Sequence, residues 1–273
     1  MTPHGGPLFV STFPARSAEG EGDARSALCL HGIEAHGLRY FGLARLLPEL
    51  TIVAPDLRGH GQSTKDGPWT VAQHVHDLIP LLEALGPRTV VLGHSYGGLI
   101  AWELARAAPD RLSGLVLVDP AIAITPEHAR QEQKRVASIP GWPDEAAALR
   151  DFLADRPPES NWAAALDLAV ATRRDSNGWL RPIAASEAVQ AGWEQMTAPL
   201  RPTDYRGPTL LLEAARENGR FVSVALAEQM RAQLGDQLDH AVLDVTHTIP
   251  SDHPDLLAQQ LRLFLGLGRT AGD

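Results

Sequence analysis

Val90-Val91-Leu92-Gly93-His94-Ser95-Tyr96-Gly97-Gly98 reads as a short apolar strand running into Gly-x-Ser-x-Gly and then, from Leu99 to Ala108, into a helix. Glycines at 93 and 97 permit a turn too sharp for residues carrying a β-carbon, and that turn presents the Ser95 hydroxyl beside the N-terminal amides of a helix. Ser95 is the candidate nucleophile; a purely structural turn is the competing reading.

The same strand-and-helix unit recurs on both sides. Leu8 to Phe13, Ala27 to Leu30, Thr51 to Ala54, Leu115 to Val118, Thr209 to Leu212 and Ala241 to Val245 read as strands. Helical spacing of apolar residues appears near Phe41 to Leu47, over 71–85 and near Val222 to Leu234. Pro80 predicts a kink or a split in the second of these. Short, continuously apolar strands between amphipathic helices indicate an α/β fold, a mostly parallel central sheet flanked by helices.

That rhythm stops between Ala121 and Pro202, where helical fragments alternate with Pro/Gly turns and no convincing strand is visible. The chain therefore divides into a core of residues 1–120 and 203–273 and a helical cap insertion, residues 121–202. The insertion carries four of the six tryptophans, Trp142, Trp162, Trp179 and Trp193. Large apolar rings suit a lid over a pocket, and they equally suit packing a thin insertion onto its parent.

Composition narrows the function classes. With 44% hydrophobic and 21% charged residues, the 273-residue chain has material for a large core. Asp plus Glu number 33 against 24 Lys plus Arg, a formal charge of -9, so no global positive field would hold nucleic acid. The one cysteine, Cys29, lies in an apolar run and reads as a core thiol, excluding an intrachain disulfide or a multi-cysteine metal site. The dispersed histidines make no persuasive ligand group, so no metal is expected. The N-terminus lacks a basic segment leading into an apolar core, and no apolar run reaches the roughly 18 residues of a membrane span. A soluble cytoplasmic protein without stable membrane insertion is expected. The Gly-x-Ser-x-Gly stretch also lacks the lysine of a phosphate loop and the spacing of a dinucleotide fingerprint, so no nucleotide cofactor is expected.

A serine hydroxyl needs a base. His247, in Asp244-Val245-Thr246-His247-Thr248 after the last expected strand, suits that role by chain order and loop position.

Taken together, His31-Gly32 after an early strand, Asp56-Leu57-Arg58-Gly59-His60-Gly61-Gln62-Ser63 after the next, the Gly93 to Gly98 elbow and His247 near the end resemble the α/β-hydrolase superfamily, in its soluble serine esterase/lipase-like branch. The resemblance runs from about Leu8 to Leu265. It implies that Ser95 attacks an acyl carbonyl, that His247 moves the proton, and that the backbone N–H groups of Ile33 and Tyr96 hold the oxyanion. It also implies that His31 and the Asp56 to Ser63 turn serve the loops rather than the chemistry. Two carboxylates compete as the acid: Asp119, directly after a strand, and the alternative acid Glu217, where many relatives carry aspartate. Arg39 is a possible pocket residue, able to meet a substrate carboxylate or simply to fix its loop.

The resulting expectation is a cofactor-independent serine hydrolase of the carboxylesterase or lactonase kind. Its partners would be water and a small-molecule acyl substrate, a small or medium hydrophobic ester or lactone. An acyltransferase or carbon–carbon hydrolase on the same apparatus is the first alternative, and a noncatalytic small-molecule binding protein the second.

Overall fold

The strand sequences dictate a sheet covered on both sides. In the computed structural model, which describes residues 8–16, 25–154, 156–216 and 221–267, seven strands form one sheet. They are β1 (Val10–Phe13), β2 (Arg25–Leu30), β3 (Leu50–Pro55), β4 (Thr89–His94), β5 (Gly114–Val118), β8 (Thr209–Ala214) and β9 (Leu238–Leu243). Their spatial order is β1-β3-β2-β4-β5-β8-β9. Only β1 is antiparallel to its neighbour; every other pairing is parallel.

Alternate residues of each strand face opposite sides. Leu28, Leu30, Val91, Leu115, Leu117 and Leu211 pack on one face with α2 (Val71–Leu85), α3 (Tyr96–Ala107) and α8 (Val224–Leu234). Ala27, Cys29, Val90, Leu92, Val116 and Leu212 pack on the other with α1 (Phe41–Leu46), α9 (Ile249–Asp252) and α10 (Pro254–Leu265). Cys29 is fully buried there, and burial pushes its thiol pKa up.

Three local expectations are corrected. Of the kink or split expected at Pro80, the split is absent: α2 runs unbroken from Val71 to Leu85, with Leu78 and Leu82 on either side of the proline both in the core. The last strand is Leu238–Leu243, three residues earlier than its most apolar stretch, because an edge strand need not be apolar throughout: Asp239 and Val242 are both exposed. The segment between β5 and β8 does contain strands. A hairpin of β6 (Thr172–Arg174) and β7 (Leu180–Pro182) pairs Thr172 with Pro182, and its arginine-rich three-residue strands carry no apolar alternation to betray them.

The same segment holds α4 (Pro126–Ala137), α5 (Glu145–Leu153), α6 (Asn161–Val170) and α7 (Ser186–Gln195). Its two ends meet where Ile124 N–H donates to the Met196 carbonyl at 3.1 Å. Helices α4 and α7 share the main core through Ala129, Val189 and Trp193, whereas Trp142, Ala148 and Leu180 form a small separate cluster.

Candidate active site

The C-terminal ends of β4, β5 and β9 bring Ser95, Asp119 and His247 together, the edge at which open parallel sheets bind ligands. Ser95 sits between β4 and α3 with φ 53° and ψ -118°, a strained conformation for a residue with a side chain. Close packing enforces it. A β-carbon on Gly93 would strike the Gly97 carbonyl, and one on Gly97 would strike the Leu30 carbonyl. Backbone bonds from Ser95 N–H to Val118 O and from Ala121 N–H to Ser95 O, both 3.1 Å, pin the elbow to the end of β5.

Asp119 follows β5 directly and is 1% exposed. His247 Nδ1–H donates to Asp119 Oδ2 at 2.6 Å, and Ala214 N–H at the end of β8 donates to Asp119 Oδ1 at 3.1 Å. A carboxylate only accepts, so the Nδ1 proton is assigned by its partner, leaving Nε2 with a lone pair. His94 Nε2–H donates to the His247 carbonyl at 2.8 Å. Burial and the neighbouring His247 hold the His94 pKa well below its ordinary value, so that ring is neutral. Glu217 lies outside the described residues.

Ser95 and His247 line one cavity of about 360 Å³, walled also by Ile33, Arg39, Trp193 and Phe221. The loop after β2 closes its side. Its shape is set by His31, which accepts from Leu57 N–H at 2.9 Å through Nε2 and donates Nδ1–H to the Gly32 carbonyl at 2.7 Å. A β-carbon on Gly32 would lie 3.2 Å from Ser95 Cβ, so the loop runs against the elbow. Among the described residues, neither the Ile33 nor the Tyr96 N–H is spent on a protein hydrogen bond. Beneath the loop, Asp56 accepts from the Gly37 and Gln62 N–H groups at 2.7 Å each, and Ser63 donates to the Asp56 carbonyl at 2.6 Å.

The pocket residues expected from sequence separate into two groups. Trp193 lines the Ser95 cavity, and Trp142 lines a second cavity of about 290 Å³ that shares Ile33, Arg39 and Arg135 with the first. Trp162 instead packs against α1, 6.3 Å from the exposed Phe41 ring, and Trp179 is 38% exposed beside Arg181. Neither tryptophan is in a wall of either cavity: one packs against α1 and the other sits at the β6–β7 hairpin. Arg39 lines both cavities while Asp167 holds its guanidinium through two bonds, 3.0 Å from Nε and 2.7 Å from Nη2. His36 and Arg156 bond the same carboxylate. Burial alone would raise the Asp167 pKa; Arg39, His36 and Arg156 together hold it at about 2.

Two residues at the site carry no motif and escaped sequence reasoning. Phe221 stacks on His247 and His128 abuts Phe221.

Comparisons agree with this architecture. The chain is 33% identical over 250 residues to lipase LipV of Mycobacterium tuberculosis, covering 90% of this chain and 94% of that one. Esterase YbfF of Escherichia coli is 23% identical over 256 residues, covering 92% and 97%. The solved structure of E-2-(acetamidomethylene)succinate hydrolase superposes with a TM-score of 0.80 at 22% identity, covering 95% of each chain, a likeness of fold. The model of the alpha/beta hydrolase family matches residues 27–260, and with that match this chain belongs to the alpha/beta hydrolase family.

Proposed function

We propose that this hydrolase cleaves a small or medium carboxylic ester or lactone through an acyl-enzyme on Ser95. The observation that carries the reading is the 2.6 Å bond from His247 to buried Asp119, in a cavity that His247 shares with a strained Ser95. Ser95 Oγ attacks the acyl carbonyl while His247 Nε2 takes its proton, and Asp119 stabilises the imidazolium without accepting that proton. The Ile33 and Tyr96 N–H groups receive the developing oxyanion. The tetrahedral intermediate collapses as His247 protonates the departing alkoxide. Water then attacks the acyl-enzyme as His247 accepts its proton, and His247 returns that proton to Ser95 Oγ as the acyl–Oγ bond breaks and the carboxylic acid leaves.

Residues 121–202 act in this reading as a cap. Support comes from α4 and α7, which contribute His128, Arg135 and Trp193 to the lining of the Ser95 cavity. The lipase and esterase relatives favour an ester over other acyl substrates.

Intact-mass analysis after exposure to a fluorophosphonate tests the proposal. One adduct on the parent, absent in Ser95→Ala and strongly slowed in His247→Ala, is expected. A folded parent that stays unlabelled and turns over neither esters nor lactones sinks it.

A further inference from the structure

A chain of aromatic rings runs from the segment between β5 and β8 to His247. The Phe221 ring lies nearly parallel to the His247 imidazole, with centroids 4.0 Å apart and 24° between the planes. His128 of α4 meets Phe221 at 5.4 Å and 81°, and Trp193 of α7 meets His128 at 5.9 Å and 75°. Among the described residues, His128 Nε2 and Trp193 Nε1 are buried without a hydrogen-bond partner. Ring contact, rather than polar bonding at those atoms, orders this row.

We propose that Phe221 is a positioning residue for the general base, its π face holding the His247 imidazole in the orientation set by Asp119 and stabilising it when it becomes an imidazolium, with His128 holding Phe221 from α4. The proposal rests on the reading of His247 as general base. The face of a benzene ring carries partial negative charge and attracts a cation. His247 is neutral before Ser95 is deprotonated and cationic in the transition state, so the attraction is stronger where the barrier lies and accelerates the step.

The other titratable or charged groups around the imidazole are consistent with that assignment. Asp119 bonds its Nδ1, and His94, 4.7 Å away between centroids, is kept neutral by burial and adds no repulsion. The same cavity is lined by Arg39 and Glu34 of the β2–α1 loop and by His128, Glu132 and Arg135 of α4. Arg135 pairs with both Glu34 and Glu132, at 2.8 and 2.6 Å, so its charge is largely offset. The π face of Phe221 is stacked on the ring itself.

The test measures kcat/KM for p-nitrophenyl acetate from pH 5 to 9 in the parent, Phe221→Leu and Phe221→Tyr. Leucine keeps apolar bulk and removes the π face. It is expected to lower the plateau about 3- to 10-fold and to move the acid limb about half a unit to lower pH. Tyrosine keeps the π face and is expected to restore the parent's acid limb and most of its rate. If Phe221→Leu fails to fold, Phe221→Met serves as the apolar comparator. An acid limb unmoved in the apolar variant, or moved equally by leucine and tyrosine, overturns the proposal and leaves Phe221 as packing. Failure of the underlying reading is separately visible, as a parent without a Ser95 adduct or Ser95-dependent turnover.

Discussion

Asp119 holds the Nδ1 proton of His247 at 2.6 Å. Asp119→Asn keeps the shape of the side chain but offers His247 an amide in place of an acceptor-only carboxylate, favouring the wrong tautomer. A loss of about 10²- to 10⁴-fold in kcat is expected, the scale set by a comparable substitution in a serine protease. Glu217→Gln is expected to leave kcat within about threefold, because Asp119 serves as the acid in the proposed mechanism. Parallel ester-hydrolysis assays of the two variants check both outcomes, and the reverse pattern would reassign the acid.

Two contacts between elements fix the site's frame. Helix α3 approaches β2 so closely that a methyl group on Gly97 would meet the Leu30 carbonyl, backbone against backbone. Gly97→Ala must push the helix off the sheet. A loss of about 1–3 kcal/mol in stability is expected from overpacking, read as a lower urea midpoint, together with a slower fluorophosphonate reaction. The second contact joins α6 to the loop after β2 through Asp167, 3% exposed, which binds Arg39, Arg156 and His36. Asp167→Ala strands two guanidinium groups beside one another and is expected to cost about 3–5 kcal/mol by urea unfolding. Asp252 still faces Arg156 at 3.3 Å, so the lower part of that range is the more natural outcome.

At the scale of the whole molecule, buried histidines govern the response to acid. Burial pushes His60 down to about 4 and His74 to about 3 from an ordinary 6.5, and holds His31 and His94 well below that value. The unfolded chain takes up protons at these rings near pH 6.5, while the folded protein refuses them until well below that, about pH 4 for His60 and about pH 3 for His74. Their contribution is therefore fully present above pH 6.5 and is lost as pH falls through that window. Each such ring adds a slope of about 1.4 kcal/mol per pH unit. Asp167 acts in the same direction lower down, between the ordinary carboxylate range and about 2. Urea midpoints measured from pH 7.5 to 4 are expected to fall steeply below pH 6.5. A flat profile through that window would show that these rings are charged in the folded state.

How much of this is written in adjacent residues follows from the range of the forces involved. The elbow at Ser95 is legible because a strand, the clash that only glycine at 93 avoids with the Gly97 carbonyl, and a helix start all fall within nine consecutive residues, whereas the Leu30 carbonyl that excludes a side chain at 97 comes from another strand. The sheet is legible because strands buried on both faces must be apolar throughout, and the edge strand β9 was misplaced because that demand lapses at an edge. Which carboxylate meets His247 was open in the sequence. Asp119 and His247 stand 128 residues apart, and only the order β4-β5-β8-β9 brings their strand ends together. The stack of Phe221 on His247, and the turning of Trp162 and Trp179 away from the cavities, were illegible for the same reason. A turn is decided by the bonds on either side of it, whereas a contact between side chains depends on strand order and register that the whole chain settles at once.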